Sequence, residues 1–187
     1  MNYSRVAGRY AKSLIELAME QKQLDAVHAD MMLLHSICLS NVDFVNMLKS
    51  PIIGGDKKII MLEAVTSRKI SELSVAFLKL LVKKTREYSL PDIIAAFKHQ
   101  YNTINGIQPV KVTTAVPVGE PLKNELLKKI QQITGNQKIE LEMAVRDELI
   151  GGFTMEIGDT LVDASILRDL NDVKTQFKNN EFVHALK

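Results

Sequence analysis

Up to about Ile104 the apolar residues recur at helical spacing, and beyond Asn105-Gly106 they alternate with single polar residues. In the first segment Ala7, Tyr10, Ala11, Leu14 and Ala18 follow the i, i+3, i+4, i+7 rule, with Val6, Ile15 and Leu17 widening the apolar face. A second helix carries Leu24, Val27, Met31, Leu34 and Cys38 at spacings of three and four. A short third holds Val42, Phe44, Val45 and Leu48 and ends before Pro51, because a residue preceding proline disfavours α geometry. Gly54-Gly55 breaks the chain, and Asp56 is placed to cap a fourth helix with Ile59, Ile60, Leu62 and Val65. Ser71 starts a fifth, with Leu73, Ala76, Phe77, Leu80 and Leu81. Ser89-Leu90-Pro91-Asp92 opens a sixth, along which Ile93, Ile94, Phe97, Tyr101 and Ile104 line up. Six amphipathic helices with short connections imply a compact bundle.

The second segment changes period. Val110, Val112 and Thr114 alternate as a strand that the Pro117 to Pro121 turn ends, and a helix with Leu122, Leu126, Ile130 and Ile133 follows. Ile139, Leu141, Met143 and Val145 then alternate with Glu140, Glu142 and Ala144. Phe153, Met155 and Ile157 form a strand opened by Gly151-Gly152, and Gly158-Asp159 suits a two-residue hairpin turn needing positive φ. Leu161 and Val162 begin a short return strand. Asp163 or Ser165 caps a last helix with Ile166, Leu170, Val173 and Phe177 on one face. The expected fold class is α+β: an N-terminal six-helix bundle over residues 1–105, then a small C-terminal α/β domain with a short mixed sheet over 106–187.

Composition narrows the function classes. A net charge of +2 creates no strong general field for nucleic acid or anionic lipid. No run of about eighteen apolar residues occurs, so no membrane insertion is expected. The N-terminus leads straight into an amphipathic pattern, unlike a secretory signal. Cys38, the single cysteine, reads as a small core residue in a reducing compartment.

A search for chemistry finds no catalytic centre, no cofactor site and no metal site. Neither a dinucleotide-binding nor a phosphate-loop glycine pattern is present. Gly54-Gly55-Asp56-Lys57-Lys58 puts lysines at a helix start, which suits an anion but equally a loop feeding a capped helix. His28 and His35 share a helix face without further ligands at metal spacing, and His99 and His184 are isolated. Asp147 and Glu148 are adjacent acids at a turn with no nucleophile nearby in sequence. The fifth helix is apolar nearly all round, as befits a central bundle helix or a helix with one side open to a partner. Lys83, Lys84 and Arg86 follow at its end, where basic residues favour the helix dipole.

Several motifs share one pattern. The double glycine Gly151-Gly152 entering a strand, the Gly158-Asp159 turn and the Asp163-Ala164-Ser165 helix start resemble the C-terminal signature of the ATP synthase delta subunit family, which includes the mitochondrial oligomycin-sensitivity-conferring protein. Arg9-Tyr10-Ala11 resembles the family's opening. Lys49-Ser50-Pro51 with Lys57-Lys58 corresponds to its usual Asn-Pro and downstream lysine. Phe77-Leu78 through Arg86, then Leu90-Pro91-Asp92-Ile93, is similar to its fifth-to-sixth helix junction, and Val112 to Pro117 to its first strand. The pieces occur in family order along nearly the whole chain. Ser50 replaces the usual Asn, Lys84-Thr85 stands where Asn-Gly is common, Ala164 replaces a Gly and Leu167 a frequent Arg.

The resemblance implies a non-catalytic stator part of the proton-translocating rotary ATP synthase, peripheral on the cytoplasmic face of a bacterial inner membrane. It further implies that the helical domain grips the N-terminal helices of the alpha subunits while the C-terminal domain binds the C-terminal end of the b-subunit peripheral stalk. Candidate head-facing residues are Val6, Tyr10 and Ser13 on the first helix and Leu80, Lys83 and Lys84 at the end of the fifth. Tyr10 suits an interface, with an apolar ring and polar tip, and equally a half-buried bundle position. Stalk-facing candidates are Leu149, Ile150, Gly151, Gly152 and Phe153, although the glycines also suit strand geometry alone. The alternative is an RNA-binding or transcription-associated helical module, which requires a concentrated basic face with stacking aromatics.

Overall fold

The computed structural model describes residues 4–66, 69–135 and 138–178. The chain forms two compact units, Met1–Ile104 and Asn105–Lys187. The fold is mixed α+β, with eight α-helices and a four-stranded mixed sheet among the described residues.

The first unit contains α1 (Arg5–Glu20), α2 (Leu24–Ser40), α3 (Val42–Lys49), α4 (Gly55–Thr66), α5 (Glu72–Lys83) and most of α6 (Leu90–Asn105). Local chemistry sets the starts. Ser4 Oγ accepts from the Ala7 amide at 3.1 Å, Asn41 Oδ1 from Phe44 at 3.0 Å, and Ser71 Oγ from Ser74 at 3.3 Å. The fourth start differs from expectation: α4 begins at Gly55, so Asp56 lies inside its first turn, where its charge complements the dipole instead of capping. The apolar faces close on one core that includes Ala11, Leu14, Met31, Leu34, Leu81, Ile94 and Phe97. Cys38 is only half-buried at the edge of that core.

Two buried polar clusters cross the helical unit. Asp30 Oδ2 on α2 accepts from the Ser71 amide at 2.9 Å and from the Ser71 and Ser74 hydroxyls at 2.6 Å each, so one carboxylate finishes the cap of α5. Lys58 Nζ on α4 donates to Leu48 O at 3.0 Å and to Glu87 Oε1 at 2.6 Å, both side chains being buried.

The second unit holds β1 (Gln108–Thr114), α7 (Glu120–Thr134), β2 (Ile139–Val145), β3 (Gly152–Ile157), β4 (Thr160–Ser165) and α8 (Ile166–Lys178). The strand order is β2-β1-β3-β4. β1 lies parallel to β2, with Val112 opposite Met143, and antiparallel to β3, with Val112 opposite Met155. A parallel neighbour requires a crossover, which α7 supplies. The unit's core comprises Val110, Val112, Ile130 and Met155, with Ile139, Leu141, Met143, Phe153 and Ile157 packed on it. The side chain of Ile133, expected on the same face of α7 as Ile130, lies outside the described residues, as does His184. The return strand is longer than its Leu161-Val162 signal, running through Asp163 and Ala164 because both pair with β3. Ser165 is the cap of α8: its Oγ accepts from the Arg168 amide at 3.2 Å. Asp163 supports it, its Oδ1 accepting from the Ser165 amide at 2.9 Å. The Ser165 hydroxyl first, and then that amide, hold the Asp163 carboxyl below its ordinary range.

Candidate functional site

In the helical unit an open depression of about 350 Å³ is lined by Val6, Arg9, Tyr10, Ser13 and Arg86. The regular spacing of Val6, Tyr10 and Ser13 along α1 puts them on one line, and the ring of Tyr10 rests edge-on against Phe77 of α5 at 6.4 Å between centroids. Tyr10 is half-buried against the bundle core, and it also lines the depression.

Arg86 reaches this wall through the chain reversal after α5. The Thr85 amide donates to Val82 O at 3.0 Å and the Arg86 amide to Leu81 O at 2.8 Å, with Thr85 at φ 55°. That pair of bonds around a left-handed residue is a Schellman turn, and it folds the residue after it back over the helix end. Arg86 Nη1 then donates to Tyr88 Oη at 2.8 Å, and the next residue, Glu87, is anchored by Lys58. Leu80, Lys83 and Lys84 are exposed on α5 but do not line the depression. Sequence reasoning missed Arg9 and Arg86 as wall residues. Arg86 was visible as part of the basic cluster ending α5, but the β-branched Thr85 gives no hint in sequence of the left-handed turn that folds it back.

In the second unit the segment Leu149–Phe153 divides by role. Leu149 is buried, so the surface at this point belongs to Ile150, which is exposed at φ 64°. A Cβ on Gly152 would stand 2.1 Å from Ala164 O, and one on Gly151 would stand 2.5 Å from Ile166 Cδ1. Both glycines thus let backbone and helix start approach closely, and Phe153 packs on the sheet core. Ile166 begins a row that sequence reasoning identified as one face of a helix without assigning it a role. Along α8, Ile166, Leu170, Val173 and Phe177 are 45, 52, 48 and 76% exposed, and no residue of α8 is buried. A helix with a well-formed apolar side normally covers something.

Among the described residues no group of His, Cys, Asp and Glu is arranged to hold a metal ion. Asp147 and Glu148 are exposed in a one-turn 3-10 segment. Burial pushes the Cys38 thiol up, away from the thiolate form. The largest aromatic cluster stacks His28 on Tyr101 at 3.9 Å beside the buried Phe97, and Tyr101 Oη donates to Asp25 at 3.0 Å. An acidic neighbour on a ring stack opposes the basic, base-stacking face that RNA recognition needs. No single helix among the described residues is long and apolar enough to cross a membrane.

Comparison with known proteins adds independent information. The family model described as ATP synthase delta (OSCP) subunit matches residues 6–177. The ATP synthase subunit delta of Cytophaga hutchinsonii is 38% identical over 177 residues, covering 95% of this chain and 96% of that protein. That of Christiangramia forsetii is 30% identical over 187 residues, covering all of both. Among solved structures, a chain of the Toxoplasma gondii mitochondrial ATP synthase hexamer is similar in fold, with a TM-score of 0.75 at 19% identity over 93% of this chain and 98% of that one.

Proposed function

The chain belongs to the ATP synthase delta (OSCP) subunit family, and from that premise we propose how its two units divide the work of a stator subunit linking the catalytic head to the peripheral stalk. A rotary synthase makes ATP only if the head is kept from turning with the rotor. The part that holds it needs tight interfaces and no reacting group, so this subunit is structural and not itself an enzyme. Its place is on the peripheral side of the membrane-bound complex, at the cytoplasmic face.

The helical unit, read as the family's six-helix bundle, takes the head. The single observation that carries this reading is the groove: Val6, Tyr10 and Ser13 on α1 line an open depression closed by Arg86, and Tyr10 rests there on Phe77 of α5. An amphipathic helix binds such a groove through residues at i, i+3, i+4 and i+7, laying its apolar side along the Val6 and Tyr10 line of α1. The occupant is the N-terminal helix of an alpha subunit. Leu80, Lys83 and Lys84, exposed on α5, form the rim on which that helix closes.

The second unit takes the C-terminal end of the b-subunit stalk. Its contact surface is the open row of α8 together with Ile150, and Gly151, Gly152, Leu149 and Phe153 hold that row in place from beneath. Titration of the purified chain with an alpha-subunit N-terminal peptide tests the head-side assignment. We expect saturable one-to-one binding, weakened about 30-fold by Tyr10→Ala, since a well-packed aromatic anchor at an interface contributes ~2 kcal/mol or more. Binding that is indifferent to Tyr10→Ala removes the groove from consideration.

A further inference from the structure

The groove wall carries two arginines, Arg9 and Arg86, beside Val6, Tyr10 and Ser13. Among the described residues no carboxylate pairs with either guanidinium. The nearest acid on the same helix, Glu16, is paired with Lys12 at 3.7 Å. Anything that fills the groove takes two guanidinium groups out of water. Burying such a charge without a counter-ion is expensive, whereas a carboxylate answers it with two parallel hydrogen bonds.

We infer that Arg9 and Arg86 form a carboxylate receptor in this groove, and that the segment it accepts is an amphipathic helix bearing an acidic side chain beside its apolar row. The inference rests on the head-facing reading above and adds the partner's charge to it. Arg86 is held ready by three contacts: the left-handed turn at Thr85, the hydrogen bond to Tyr88 Oη, and the buried attachment of Glu87 to Lys58. A side chain ordered before binding loses less freedom when it binds. A nucleic-acid phosphate also suits paired arginines. Here, though, the groove offers a single ring, Tyr10, where single strands stack a series of bases, and a net charge of +2 supplies no strong field for a polyanion.

The test uses the full chain and two synthetic peptides: the alpha-subunit N-terminal segment, and the same segment with every Asp and Glu changed to Asn and Gln. At low salt the neutral peptide is expected to bind about 10-fold more weakly, the range of a charge-assisted pair at a partly exposed site. Arg9→Ala with Arg86→Ala is expected to lose the same factor for the native peptide and nothing more for the neutral one. Tyr10→Ala weakens both peptides alike, and thermal unfolding confirms that each variant is folded. Equal binding of the two peptides by the unaltered chain overturns the receptor while leaving the groove standing. So does an arginine variant that still prefers the acidic peptide. Failure of both peptides to bind, or binding indifferent to Tyr10→Ala, overturns the groove and the receptor with it. Displacement of the native peptide by a single-stranded oligonucleotide of similar affinity assigns the arginines to phosphate and overturns the inference.

Discussion

Lys22, Thr85 and Ile150 sit at φ 55°, 55° and 64°, a region that costs an ordinary residue about 1–2 kcal/mol. Lys22 and Thr85 occupy the same position in two Schellman turns, closing α1 and α5, where glycine is the usual choice. For the β-branched Thr85 the strain outweighs the entropy that glycine forfeits, about 0.5–1 kcal/mol. Thr85→Gly is therefore expected to raise stability in urea by about 0.5–1 kcal/mol. Gly152 is the opposite case. Its φ of 74° and the 2.1 Å approach of Ala164 O to any Cβ mean that Gly152→Ala pushes β3 from β4, so a loss of ~3 kcal/mol is expected in the same measurement. A loss below ~1 kcal/mol would show that the hairpin absorbs a side chain there. The double glycine was visible in sequence as a strand opening, but only the pairing of Gly152 with Ser165, which brings Ala164 O close, reveals which glycine the backbone requires.

Helices and turns were legible from local rules. The start of α5 follows from its cap residue Ser71 and the β3–β4 hairpin from Gly158-Asp159, whereas the caps Ser4 and Asn41 of α1 and α3 emerge from the structure. What joins elements was not legible, because a pair far apart in sequence leaves no periodic trace. Asp30, which carries no periodic signal of its own, finishes the cap of α5. Lys58 reads in sequence only as part of a glycine-lysine stretch feeding a helix, yet it ties α4 to the end of α3 and to the segment carrying Arg86. Glu87 Oε2, the other oxygen of that carboxylate, is buried without a hydrogen-bond partner. Glu87→Gln leaves the Lys58 ammonium buried without its counter-charge, and a cost of ~3 kcal/mol is expected in denaturant titrations. Replacing both together, Lys58→Met with Glu87→Leu, is expected to return to within about 1 kcal/mol of the original, since the pair's attraction largely offsets its desolvation. Recovery of that kind separates a lost ion pair from a merely disturbed core.

Over the whole chain the change of period at Asn105-Gly106 coincides with the end of α6, and each unit has a core of its own. A fragment of residues 1–105 is thus expected to bind the alpha-subunit peptide within about 3-fold of the full chain, because every wall residue of the groove belongs to it. Much weaker binding by a folded fragment would mean that the second unit shares in that contact. The two units also differ in when their partners are made. β1 is the first strand to emerge during synthesis, yet it is an interior strand of the sheet, waiting for Met143 on one side and Met155 on the other. A helix satisfies its backbone within its own segment, whereas a strand does so only when its neighbours exist. On the ribosome all six helices of the first unit are made while β1 still has two bare edges, the kind of surface that recruits stray strands. Folding of the second unit is paced by the arrival of β2 and β3, and a chaperone or an early binding partner would act most usefully in that interval.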